Sequence, residues 1–302
     1  MRMRKKIYLV YQYFGTSESK WSTQWYDFTQ EFIKQGYEVT VITSNFIRSD
    51  LPEARFFKTV IRDNITIKIL PFGDGNNLTI PRRIFNSLFF SFFCFIYLAF
   101  TTADKYIFSI GPIGAGLPII LKKRDKTILE VRDLWPDGGF AMKKIPIFLT
   151  KPLYLIQKII YSGSGKIFTC SPAQQSYIET RFPILKGRVS CVEHGIDPRV
   201  LNYSQTNRME LSTVQKYWVV VATFGLIHNP MKWLHLAKRL MKIDADIELV
   251  LVGSGPLYSK VANTIEEENL FNVKLTGQLS KKGLSDWIRK SEFCLFTRNL
   301  LN

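Results

Sequence analysis

The sequence predicts an α/β fold of two doubly wound domains, the second incomplete. Three observations carry this reading. Short β-rich runs alternate with helical patterns from Lys6 onward, and such alternation implies parallel sheets covered on both faces. The alternation stops in a polar stretch at 201–215, rich in Ser, Thr and Asn, and then restarts. Residues 1–200 and 216–302 therefore read as separate domains joined by a linker. Beyond the linker only four strand candidates remain, where a doubly wound domain carries about six. A length of 302 residues agrees with two domains, and 46% hydrophobic with 22% charged residues excludes a disordered or collagen-like chain.

Each element has a local reason. Lys6–Tyr11 is apolar, β-branched or aromatic, and reads as the first strand. In Ser22–Gln35 the apolar residues Trp25, Phe28, Phe32 and Ile33 recur at three- and four-residue spacing, so one helical face is buried. Ser22 fits an N-cap and Gly36 the residue after the helix end. Strands follow at Tyr37–Thr43, Ile65–Leu70, Lys105–Ile110, Lys126–Val131, Lys166–Cys170 and Arg188–Glu193, with helical stretches at about 113–123, 147–161 and 173–181. After the linker come strand Tyr217–Thr223, helix Met231–Ile243, strand Ile247–Val252 and helix Leu257–Glu268. Pro256 opens that last helix, where its missing N–H is harmless. Val273–Thr276, Lys281–Lys290 and Phe293–Thr297 continue the pattern.

Residues 84–100, IFNSLFFSFFCFIYLAF, form the most apolar stretch, preceded by Arg82 and Arg83 and followed by Lys105. Three readings fit: a helix buried in a large domain, an interfacial helix dipping into a bilayer, and a short membrane span. The strand-like segments on either side disfavour the span. The net charge is +16, of which +12 falls in residues 1–200 and +4 in 201–302. That excess favours anionic partners. Nucleic acid is disfavoured, because the basic residues are scattered and no recognition module is present. Cys94, Cys170, Cys191 and Cys294 stand alone without a CxxC pair, and read as reduced thiols. The apolar run Ile7–Val10 is too short for a secretory leader, so the chain reads as cytoplasmic.

In a doubly wound sheet ligands sit beyond the carboxyl ends of the strands, so residues just after strands are the candidates. Gly253-Ser254-Gly255-Pro256 follows ELVLV and opens a helix, a place where glycines allow a tight turn and free N–H groups attract phosphate. It is not GxGxxG, so a nicotinamide site is poorly supported. Ser162–Lys166 fails the P-loop pattern, because Ile160 and Ile167 stand where Gly and Ser or Thr are needed. Asp244-Ala245-Asp246 resembles a metal-holding DxD pair but precedes a strand, at the wrong edge. No histidine has metal-ligand spacing. His194 and His228 follow strands, whereas His235 lies within a helix. Glu130–Asp137, EVRDLWPD, leaves a strand with Arg132, Asp133 and Trp135, residue types that grip polar ligands and stack on rings. An internal Asp–Arg pair beside a packed tryptophan is the structural alternative.

In order and spacing these motifs resemble the GT-B-fold glycosyltransferases of the large retaining class, "glycosyl transferases group 1". The closest likeness is to the bacterial branch that builds O-antigen and capsule sugars on a lipid carrier. YQYFG (11–15) ends the opening strand, and GYEVTVITS (36–44) resembles the family's GHEVTVITS. EVRDLWPD resembles its RDLWP motif, VEHGID (192–197) its pNGvD turn, and ATFG (222–225) its donor-side GtfG loop. LVLVGSGP (249–256) and NVKLTG (272–277) match later elements. The resemblance implies two Rossmann-like domains and transfer with retention from a nucleotide sugar, a UDP-sugar, without an obligatory metal or other cofactor. It implies donor binding by Thr223, Gly225, Lys232, Gly253, Ser254 and Gly255. It implies a reaction cleft with Arg132 and Asp133 as catalytic residues, and Gly15, Thr16, Trp135 and His194 on the acceptor side. The implied acceptor is lipid-linked or saccharide, with the chain peripheral on the inner face of the plasma membrane.

Several departures are visible. Leu226, Ile227 and His228 stand where the family usually has an arginine, which leaves Lys232 as the one lysine for the diphosphate. His194 replaces an asparagine, and Arg132 stands where many relatives have histidine. The family's paired glutamates, eight positions apart, are missing, so the second domain reads as truncated. Two other readings stay open: a catalytically impaired fragment that binds only a membrane or partner, and a nucleotide-sugar epimerase of the same fold.

Overall fold

The computed structural model describes residues 5–19, 23–44, 50–54, 56–71, 80–111, 113–138, 148, 150–195, 216–225, 228–279 and 281–295. The chain forms two compact units, Met1–His194 and Gly195–Asn302. The expected linker at 201–215 and the expected N-cap Ser22 lie outside the described residues.

The first unit is built on an eight-stranded sheet. Its strands are β1 (Lys6–Tyr11), β2 (Glu38–Ser44), β3 (Lys58–Arg62), β4 (Ile65–Leu70), β5 (Lys105–Ile110), β6 (Thr127–Val131), β7 (Lys166–Thr169) and β8 (Val189–Cys191). The order is β3-β4-β2-β1-β5-β6-β7-β8. Every pairing is parallel except β3 with β4. Strand β3 is absent from the sequence expectation. It pairs Arg62 with Ile65 across the two-residue turn Asp63-Asn64, whose φ values of 49° and 63° match a twist-compatible hairpin turn. KTVIR is mostly exposed, so it lacks the burial pattern that marks a strand in sequence.

Among the described residues four helices cover this sheet: α1 (Gln24–Lys34), α2 (Ile80–Ala99), α3 (Thr150–Gly163) and α4 (Pro172–Arg181). The stretch expected to be helical near 113–123 is a 3-10 segment, Ile113–Leu121, with Pro118 inside it. The start of helix α4 is capped. The Ser171 hydroxyl accepts the Gln174 N–H at 3.3 Å and Pro172 occupies the first turn. Helix α1 ends before Gly36, whose φ of +86° is the left-handed region that glycine tolerates.

The two faces of the sheet have separate cores. Alternate strand residues Leu9, Val41 and Ile67 pack with Trp25 of α1. Val10, Ile42 and Phe108 pack with Phe90, Cys94 and Leu98 of α2, Ile119 of the 3-10 segment, and Ile160 and Tyr161 of α3. Strand β2, EVTVITS, is buried at every position after Glu38, as a strand covered on both sides requires.

Among the described residues the second unit has four parallel strands: β9 (Tyr217–Val221), β10 (Glu248–Val252), β11 (Val273–Gly277) and β12 (Phe293–Leu295), in the order β11-β10-β9-β12. Helices α5 (Met231–Ile243) and α6 (Tyr258–Glu267) bury Trp233, Leu234, Ala237 and Val261 against Leu249 and Leu251. Helix α7 (Lys281–Lys290) sets Leu284 and Trp287 against Val219, Val250 and Val252 on the other face. The order returns from β11 to β12 beside β9, which places helices on both faces and creates a switch point.

Candidate functional site

In the second unit, two strand exits lock together at the carboxyl edge. The Phe224 N–H donates to the Ser254 carbonyl at 3.1 Å, and the Leu257 N–H to the Phe224 carbonyl at 2.9 Å. The Gly253 N–H reaches the Gly277 carbonyl at 2.9 Å, which ties in the β11 exit. Gly253 has φ of +139°, and a Cβ there would lie 1.9 Å from the Ala222 carbonyl oxygen. At Gly255 a Cβ would lie within 2.9 Å of three backbone atoms of Phe224. Both glycines are thus required by backbone-to-backbone packing.

Gly225 differs, since a Cβ there would meet nothing within 4 Å. Thr223 beside it is exposed. Lys232 lies exposed in the first turn of α5, its N–H bonded to the Asn229 carbonyl at 3.0 Å. The structure therefore gathers Thr223, Gly225, Gly253, Ser254 and Gly255 at one sheet edge and puts Lys232 on the helix leaving it. Asp244-Ala245-Asp246 turns into β10 at the opposite edge, with the Asp246 N–H on the Asp244 carboxylate at 3.1 Å.

In the first unit the candidates also follow parallel strands, at the carboxyl edge. Arg132 leaves β6 and reaches back past β5 to β1. Its guanidinium donates to the Tyr11 hydroxyl and, at 2.8 Å, to Gln24 Oε1. It sits 5.3 Å from the Tyr11 ring centre and 3.9 Å from Glu130 Oε1. Glu130 is buried and accepts the Trp25 indole N–H at 2.6 Å and the Ser109 hydroxyl. This network joins β1, α1, β5 and β6 beneath the edge, so Arg132 is engaged within the protein.

The RDLWP turn is held from behind. Gln174 Nε2 donates to the Arg132 carbonyl at 3.0 Å, and Gln157 Nε2 to the Trp135 carbonyl at 2.8 Å. The Tyr154 hydroxyl donates to Asp137, and burial with that carboxylate pushes the phenol up to about 12. The Trp135–Pro136 peptide is cis. Trp135 packs on the core edge, while Asp133 is exposed. Burial pushes the Cys170 thiol up, against the lowering effect of its bond to Gln174.

Gly15 and Thr16 leave β1. A Cβ on Gly15 would lie 2.3 Å from the Ser19 hydroxyl, so the glycine closes its own turn. The Thr16 N–H donates to Asp50 at 2.9 Å and its hydroxyl bonds the same carboxylate, which Arg62 of β3 also holds at 2.9 Å. His194 is exposed beyond β8. Among the described residues no group of three or more His, Cys, Asp or Glu side chains is placed to hold a metal ion.

Sequence reasoning missed Glu130, Trp25, Gln24 and Asp50 as parts of this framework. Glu130 had a visible signal, a carboxylate inside the apolar strand TILEV that must find donors when buried. Asp50 had none, because its partners Thr16 and Arg62 meet it only through the hairpin.

The architecture has counterparts among solved structures. Sucrose-phosphate synthase from Thermosynechococcus elongatus matches with a TM-score of 0.70 and 13% identity, over 96% of this chain and 75% of its own. An E. coli trehalose-6-phosphate enzyme bound with UDP-2-fluoro glucose matches at 0.69 and 11%, over 97% and 78%. The catalytic domain of starch synthase IV from Arabidopsis thaliana, bound to ADP and acarbose, matches at 0.62 and 10%, over 96% and 77%. The chain has the GT-B fold. At these identities the likeness is one of fold. No protein-family model and no curated protein matches the chain.

Proposed function

We propose that this GT-B chain is a glycosyltransferase that moves a sugar from a nucleotide-sugar donor, a UDP-sugar, to a lipid-linked or saccharide acceptor, with retention. The observation that carries the reading is the glycine-rich carboxyl edge of the second unit, set in a fold shared with an enzyme solved with UDP-2-fluoro glucose. Gly225 leaves open space over that edge, and Lys232 supplies an exposed cation beside it. Backbone N–H groups and that cation suit a leaving diphosphate. In the first unit, Arg132 and Asp133 belong to the reaction side, Arg132 held rigidly and Asp133 free in solvent. Gly15, Thr16, Trp135 and His194 frame the acceptor.

The RDLWP turn supports assignment to cell-surface polysaccharide assembly of the O-antigen or capsule type. The chain would work at the inner face of the plasma membrane as a peripheral protein. Calorimetric titration with a panel of UDP-, GDP- and ADP-sugars tests the donor half, with saturable binding of a UDP-sugar expected. Incubation with that donor and lipid-diphosphate sugars, with the product anomer read by NMR, tests transfer and retention. Failure of every nucleotide sugar to bind would falsify the reading.

A further inference from the structure

Helix α2 is apolar on its solvent side. Its small polar residues Asn86, Ser87 and Ser91 are buried against the sheet together with Phe90, Cys94 and Leu98. Its solvent side carries Phe85, Leu88, Phe92, Phe95 and Ile96, and Phe100 follows at 87% exposed. These outward residues fall on one side of a 3.6-residue helix, opposite the buried set. No polar side chain interrupts them: every exposed residue from 85 to 100 is apolar. Phe57, itself exposed, meets Phe93 edge-to-face at 5.0 Å and extends the patch sideways. An ordinary surface helix carries polar residues on its outer side, and a contiguous apolar ridge of this kind marks a surface with a partner.

Charge identifies the partner. Helix α2, the 3-10 segment, α3 and α4 cover the same face of the sheet; the first three contain no aspartate or glutamate, and α4 contributes Glu179. The exposed side of α3 mixes Leu155 and Ile159 with Lys151 and Lys158. Helix α1 on the opposite face carries Asp27 and Glu31. A second copy docked face to face would set the lysines of α3 against one another, with Glu179 of α4 as the acid these helices offer in return. An apolar ridge flanked by lysines instead matches acyl chains beneath anionic headgroups. Among the described residues no helix is long and apolar enough to cross a membrane, and the buried side of α2 is fastened to the sheet.

We propose that the α2 face of the first unit docks on an anionic bilayer, with α2 lying in the interface and its outward phenylalanines among the acyl chains. This deepens the peripheral location in the proposed function, yet its test is independent of transfer. The full chain is mixed with vesicles of phosphatidylcholine, with and without phosphatidylglycerol, and sedimented. It is expected to partition onto the anionic vesicles and to shed from them as salt rises. The triple variant Phe92→Ser, Phe95→Ser, Ile96→Ser alters only exposed positions. It should lose at least about tenfold in partitioning while keeping its far-ultraviolet circular dichroism spectrum and its UDP-sugar affinity. Phe271→Ser, at an exposed site in the second unit, should bind vesicles as the unaltered chain does. Equal retention of the triple variant overturns the proposal, as does an unaltered chain that ignores anionic vesicles. A dimer that the triple variant dissolves, without vesicle binding, overturns it in favour of self-association. Loss of UDP-sugar binding by the unaltered chain, with vesicle binding intact, would instead count against the transfer reading alone.

Discussion

Gly253 and Gly225 flank the same edge and answer to different constraints. At Gly253 both the +139° φ and the 1.9 Å approach of the Ala222 carbonyl exclude a methyl group. Gly253→Ala should lower unfolding free energy by about 3 kcal/mol or more in urea titration. At Gly225 the space is empty, so Gly225→Ala should change stability by less than about 1 kcal/mol. Its UDP-sugar affinity should fall at least about tenfold, since a methyl group would occupy the place of a close phosphate oxygen. Unchanged affinity in calorimetry would remove Gly225 from the donor site. Both glycines were visible in sequence as strand-exit residues. Which one the fold itself requires was not, because the Ala222 carbonyl reaches Gly253 from a neighbouring strand.

Between elements, the carboxylate of Glu130 is the joint. It lies in β6, takes the indole N–H of α1 and the hydroxyl of β5, and faces the guanidinium that reaches β1. Trp25→Phe removes one donor and keeps most of the packing, so it should cost about 1–3 kcal/mol for the acceptor left short. Arg132→Met alone should cost about 3 kcal/mol, since it strips a buried carboxylate of its cation. Glu130→Leu strands the Trp25 and Ser109 donors in either background, but it should cost less on top of Arg132→Met than alone, because no buried cation is then left without its carboxylate. Additive losses in the double-mutant cycle would show that the two side chains do not act as a pair. Strand and helix positions were largely legible, since hydrophobic periodicity reports burial. The hairpin strand β3 was not, because an exposed edge carries no such period.

For the whole molecule, alkaline stability follows from phenols held protonated. Burial and neighbouring tyrosines push Tyr8 up to about 12 from its ordinary 10.0, and burial with Asp137 does the same for Tyr154. Between pH 10 and about 12 the unfolded chain has released protons that the folded chain keeps. The folded state then binds more protons, so unfolding free energy falls as pH rises through that window. Urea midpoints should decline there, and Tyr8→Phe should flatten the decline. An undiminished slope in that variant would assign the alkaline loss to other groups.

Alternation of strand and helix patterns was sufficient for two parallel α/β units, since each element's period records which side it must bury. The ordered motifs, with strands known to be parallel, were sufficient to place the candidates at carboxyl edges. Local sequence could not show that Arg132 is spent on Tyr11 and Gln24, because those partners lie 121 and 108 residues away. Nor could it orient the apolar segment 84–100. A helix apolar nearly all round has no preferred face of its own, and contact with the sheet took Asn86, Ser87, Ser91 and Phe90 inside and left Phe85, Phe92 and Phe95 out.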